Sequence, residues 1–164
     1  MRIMIAGVVL FLMAACLCAP VMAEHFTVVG DKLKVSFEAE NVTKTVPTNY
    51  VKNGGQMDTL AIEFFDGVKG GVEVEYNPSS TRAVVNLTEE CLSQIARKLK
   101  VSVAEVPSET RHIRGQNITA GRVAPNRWGA EFRPPGHSDN IITVIADSQN
   151  IWPIIESMTF EQHQ

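Results

Sequence analysis

Residues 59 to 76 read TLAIEFFDGVKGGVEVEY, and this stretch decides the fold. Two runs of strand-forming residues, Thr59 to Phe65 and Gly71 to Tyr76, flank the glycine-bearing connection Asp66 to Gly70. A link of that length and composition between strand-like runs predicts a β-hairpin. In the second arm Val72, Val74 and Tyr76 share one face, while Glu73 and Glu75 share the other. The alternation predicts an antiparallel sheet with one buried face, and it reads the two glutamates as a solvated strand face rather than an acid/base pair.

Upstream, Leu33, Val35 and Phe37 alternate with polar residues, the period of a half-buried strand. Val46 to Met57 carries Pro47, Asn49, Asn53, Gly54 and Gly55 without periodicity and is predicted to be a loop. Downstream, Leu87, Cys91, Leu92, Ile95 and Leu99 recur at spacings of three and four, the apolar stripe of a helix running to about Lys100 with Asn86 or Thr88 as its cap. Glu89 and Glu90 stand at its positive end, and Arg97, Lys98 and Lys100 at its negative end. The stripe assigns Cys91 to packing rather than to nucleophilic chemistry.

Further strands are predicted around His112 to Gln116, Ile118 to Val123, Trp128 to Phe132 and Asn140 to Ala146. The last is apolar on both faces, as a central strand is. Ile151, Trp152, Ile154, Ile155 and Met158 form a second helical stripe, with Ser148 or Asn150 as cap and Pro153 in the first turn. The order of elements predicts an α+β fold, a mainly antiparallel β-sheet with a central amphipathic helix and a C-terminal helix packed on it.

The central helix, the Gly115 to Gly121 strand pair, the apolar Asn140 to Ala146 strand and a terminal helix ending Ile155-Glu156-Ser157-Met158-Thr159-Phe160 resemble the PsbP-like family of small exported α/β/α domains. The resemblance follows element order over most of the chain and carries no diagnostic motif. It implies a non-enzymatic accessory or binding domain in an exported or membrane-tethered setting.

The N-terminus sets the compartment. Arg2, an apolar run from Ile3 to Cys18 and the small-residue segment ending at Ala23 have the three parts of a secretory signal, with cleavage expected after Ala23. Two alternatives stand beside cleavage: residues 3 to 23 are long enough to remain as a membrane anchor, and Met13-Ala14-Ala15-Cys16 resembles a lipobox, with lipidation at Cys16. The chain is thus divided into a signal, residues 1 to 23, and one globular domain, residues 24 to 164, placed outside the cytoplasm as a secreted or surface-attached protein.

Removal of the signal from the 164-residue chain leaves 14 basic and 18 acidic residues, a net charge of −4 that argues against nucleic acid as a partner. With 45% hydrophobic and 20% charged residues the chain has ordinary globular composition. Beyond the signal Cys91 is the sole cysteine, so no disulfide forms within the domain.

The charges are segregated. Residues 111 to 133 hold Arg111, Arg114, Arg122, Arg127 and Arg133 against one acid, Glu131, and acidic stretches lie on either side. Guanidinium groups bind carboxylate, sulfate or phosphate in a bidentate manner, and Trp128 among them adds a stacking surface. These six residues form a candidate face for an anionic ligand or a protein partner; the competing reading has the arginines paired with acids inside the fold. His137 and Asp139, in a predicted turn, are the candidate metal ligands, although they lack the further spaced ligands of a convincing site. Asn41, Asn86 and Asn117 head glycosylation sequons.

No catalytic motif occurs, and no cofactor is indicated. The expected function is an accessory or binding domain without catalysis, its partner a protein or an anionic ligand and its membrane contact confined to the N-terminal segment. The alternatives are an extracytoplasmic metal-assisted enzyme built around His112, His137 and Asp139, and a structural component of a cell-envelope assembly.

Overall fold

The computed structural model describes residues 22–52, 55–76 and 87–163. Among these residues ten strands are present: β1 (Glu24–Val29), β2 (Leu33–Ala39), β3 (Val42–Lys52), β4 (Gly55–Phe64), β5 (Lys69–Tyr76), β6 (Ser108–Ile113), β7 (Gln116–Ala124), β8 (Arg127–Phe132), β9 (Asn140–Ala146) and β10 (Thr159–Gln162). Two α-helices among the described residues, α1 (Leu87–Leu99) and α2 (Ile151–Ser157), and a single 3-10 turn, Val103–Glu105, accompany them.

The domain is therefore mainly β, which corrects the expected α+β fold. A helix of 13 residues and one of seven stand against ten strands, and α1 is not central: it lies against β7 and β8 on one flank. The underestimate comes from β1, β3 and β10. The stretch read as a loop, Val46 to Met57, is in fact most of β3 and the start of β4.

The strands make two antiparallel sheets, one in the order β1-β2-β10 and one in the order β3-β4-β5-β9-β8-β7-β6. The hairpin of residues 59 to 76 is present as β4 and β5, with the Asp66 carboxylate accepting the Val68 N–H at 3.0 Å in the turn. In the large sheet the inner face, turned toward β1 and β2, carries Leu60, Ile62, Val72, Val74, Ile142 and Val144, all buried. They pack against Leu33, Val35 and Phe37 of β2 and against Ile154 and Ile155 of α2, so one apolar layer fills the space between the sheets. Full burial of such side chains contributes about 1.5–3 kcal/mol each. β9 occupies the fourth of seven places, as its two apolar faces require.

The outer face carries α1 over β7 and β8. Ile95 and Ala96 of the helix and Val106 beyond it form a small second core, and Gly121 permits the close approach: a Cβ there would stand 2.8 Å from both Ile95 Cδ1 and Leu92 Cδ2. Cys91 is half-buried in this cluster. Elsewhere on this face the expected solvated strand of carboxylates is only partly realised, since Glu73 is half-buried and Glu75 is 7% exposed.

Candidate functional site

The arginine segment does not converge on one face. Arg111 donates to Glu109 and to Glu156, each at 2.8 Å, and its guanidinium lies 4.6 Å from the centre of the Trp152 ring. The Arg111 hydrogen bond, followed by that of the Trp152 indole, holds the Glu109 carboxyl below the usual carboxylate range. Arg114 donates to the carbonyls of Ile155, Glu156 and Met158 at 2.5–3.0 Å. These carbonyls close α2, where the helix itself supplies no donors, so Arg111 and Arg114 stitch α2 to the β6–β7 hairpin. Arg133 closes the β8–β9 loop through the Ser138 carbonyl. Arg127 and Arg133 lie at opposite ends of β8, about 20 Å apart at strand rise. Arg122 is exposed, Trp128 is half-buried against the inner core, and Arg127 is half-buried with its Nε atom lacking a hydrogen bond.

The other candidates are scattered. His137 and Asp139 sit in the β8–β9 loop, whereas His112 pairs with Asn117 across β6 and β7 through its ring nitrogen Nδ1 at 2.9 Å. Among the described residues no three His, Cys, Asp or Glu side chains are placed to hold a metal. Asn41 adopts φ 57° at the β2–β3 turn, and Asn117 is exposed. Cys16 and Asn86 lie outside the described residues. No described helix is long and apolar enough to cross a membrane.

What sequence reasoning missed is β3. This eleven-residue strand pairs with β4 on one side and, among the described residues, has no strand on the other, and every side chain from Thr43 to Val51 is exposed. The direction of its backbone groups follows from the next strand. Phe64 donates its N–H to Val68, on the β5 side, at 2.9 Å, and Phe65 donates to Asn41, on the β3 side, at 2.7 Å. Backbone groups alternate along a strand, so Met57, Thr59 and Ala61 bond β3 through their register partners Tyr50, Thr48 and Val46. The intervening residues Thr45, Pro47, Asn49 and Val51 turn their backbone groups away from the sheet. Pro47 thus stands where the missing N–H costs the sheet nothing, and the free edge keeps three N–H groups and four carbonyls.

Exposed apolar side chains flank that row: Val46 and Tyr50 on the outer face and Val51, 72% exposed, on the inner. Tyr50 is fixed by a 2.5 Å hydrogen bond from its phenol to Glu73 Oε2, which Thr59 also approaches at 3.3 Å. The Glu73 hydrogen bond, with some burial, pushes the Tyr50 phenol up to about 12. A raised pKa means that the folded state holds this proton more tightly, so the contribution is present below pH ~10 and is lost as pH rises toward 12. Absorbance titration at 295 nm is expected to show Tyr50 ionising about two units above an ordinary tyrosine, and Glu73→Gln should bring it back toward 10. An unshifted wild-type titration would show that the Tyr50–Glu73 contact is absent in solution.

Compared with protein-family models, with curated proteins and with solved structures, the chain gives no match.

Proposed function

We propose that this chain is an exported, non-catalytic binding domain that takes up an extended segment of a protein partner along the free edge of β3. The observation that carries the reading is the edge strand itself, unpaired on one side among the described residues and exposed from Thr43 to Val51. Domains that act alone shorten, cover or charge such an edge because it templates strand addition. Here Lys44, the register shift between Val42 and Lys44, and Pro47 interrupt it, and the run from Thr48 to Val51 is left exposed and uncharged. Strand addition supplies affinity through main-chain hydrogen bonds and specificity through alternate side chains. The protein partner is favoured over an anionic ligand because Arg111 and Arg114 are already engaged with α2. Export rests on the signal read in residues 1 to 23.

The test is site-directed photo-crosslinking of the full-length chain in the cell that makes it. Benzoylphenylalanine at Val51 is expected to trap a discrete protein adduct. Asn49→Pro, which removes an outward N–H and leaves the β4 ladder intact, is expected to abolish that adduct while changing stability by no more than about 0.5 kcal/mol. Absence of any adduct from Val51, or an adduct indifferent to Asn49→Pro, would overturn the proposal.

A further inference from the structure

Between β1 and the inner face of β3 and β4 lies a cleft of about 450 Å³. Val28, Pro47 and Leu60 form its apolar wall, and Thr27, Asn49 and Asp58 bring polar groups to it. The Thr27 hydroxyl is occupied by Ser36 at 3.0 Å. Asp58 is half-buried, and among the described residues its carboxylate makes no hydrogen bond or ion pair; the Asn49 amide is likewise free. The β1–β2 turn leans over the carboxylate, since a Cβ on Gly30 would lie 3.6 Å from Asp58 Oδ2. A carboxylate drawn partly out of water without a partner loses solvation that a cation at the same place would restore.

We infer that the strand added to β3 carries a lysine or arginine whose side chain enters this cleft and pairs with Asp58. This rests on the strand addition proposed above and names the chemistry of the segment that β3 accepts. Side chains of an added strand alternate between faces, so every second one faces the cleft beside Asn49. Asp58 is the register partner of Asn49 on the next strand, two strand spacings or about 10 Å from the added backbone. A long basic side chain spans that distance together with the aspartate itself, whereas a short one does not. Residues alternating with the basic one face Val46 and Tyr50, which favours Val or Ile there.

Two capped nine-residue peptides test this, TVTVKVTVT and the same sequence with norleucine for lysine, titrated by calorimetry onto the full-length protein. The lysine peptide is expected to bind at least tenfold more tightly. Asp58→Asn should reduce it to the norleucine level without altering the norleucine peptide, and Asn49→Pro should abolish binding of both. Equal binding of the two peptides to the wild type, or a lysine preference that survives Asp58→Asn, would overturn the cleft assignment and leave edge addition standing. Failure of both peptides to bind the wild type would overturn the two together.

Discussion

Gly70→Ala is expected to destabilise the domain by about 3 kcal/mol or more, read as a fall of roughly 10 °C in the unfolding midpoint. A Cβ on Gly70 would stand 2.0 Å from the Ile145 carbonyl oxygen and 2.8 Å from its carbon. Both are backbone atoms of β9, so no side-chain rotation relieves the clash, and the β5–β9 pairing itself must yield. Gly129 supplies the control on the other side of the same strand. A Cβ there would meet nothing closer than 3.6 Å, and Gly129→Ala should cost less than about 1 kcal/mol or slightly stabilise. Denaturant unfolding of the two variants side by side decides the matter, and equal stabilities would refute the close approach of β5 to β9.

The second large effect is expected at Asp147, which is 4% exposed. One carboxylate oxygen accepts the N–H groups of Gln149 and Asn150, each at 2.8 Å, and the other accepts the Asn150 amide at 3.0 Å. Asn150 in turn accepts the Glu40 N–H at 2.8 Å. A chain of hydrogen bonds thus runs from the end of β9 through the start of α2 to the residue after β2, tying one sheet to the other. Asp147→Ala leaves several buried donors without partners and should cost about 3 kcal/mol. Asp147→Asn keeps an acceptor and should cost less than half as much. In a double-mutant cycle Asp147→Ala and Asn150→Ala should couple by about 1 kcal/mol or more, as members of one network do. Additive effects would mean that the two residues act separately.

The elements legible in the sequence are those with one dry face. Val72 and Val74 in β5, Leu33, Val35 and Phe37 in β2, and the doubly apolar β9 all declare themselves by burial. β3 could not, because alternation is the imprint of a buried face and this strand has none. Its signal was weaker, the β-branched and aromatic content of Val42, Thr43, Thr45, Val46, Tyr50 and Val51, and Pro47, Asn49 and Gly54 masked it. The helical stripe of α1 was visible, but periodicity reports which side of a helix is apolar and not where in the domain it docks; Leu99, assigned to the stripe, is 38% exposed, and Ala96 is buried instead. Asn150, one of the two caps expected for α2, does stand at its N-cap but makes no capping bond with its own side chain; the carboxylate that fixes this turn belongs to Asp147, disguised by its place just past a strand. The arginine segregation was plain from the chain, whereas its use as an internal stitch depends on Glu109, Glu156 and the end of α2 arriving beside it. Nothing local marks Asp58 as unpaired until β1 is laid over β4.

The large sheet consists of two meanders, β3-β4-β5 and β6-β7-β8, joined only through β9. The missing slat is made late, more than sixty residues after β5 ends, and α2 and then β10, the strand that completes the smaller sheet, come later still. Up to Asn140 a growing chain can form two separate local ribbons, each with an open side, and cannot lock them. Such long-range closure is slow. The residues from Asn140 to His163 therefore act as a clasp: they join the two ribbons through β9 and complete the smaller sheet through β10, so the contacts that lock the rest of the domain together are carried by its last-made elements.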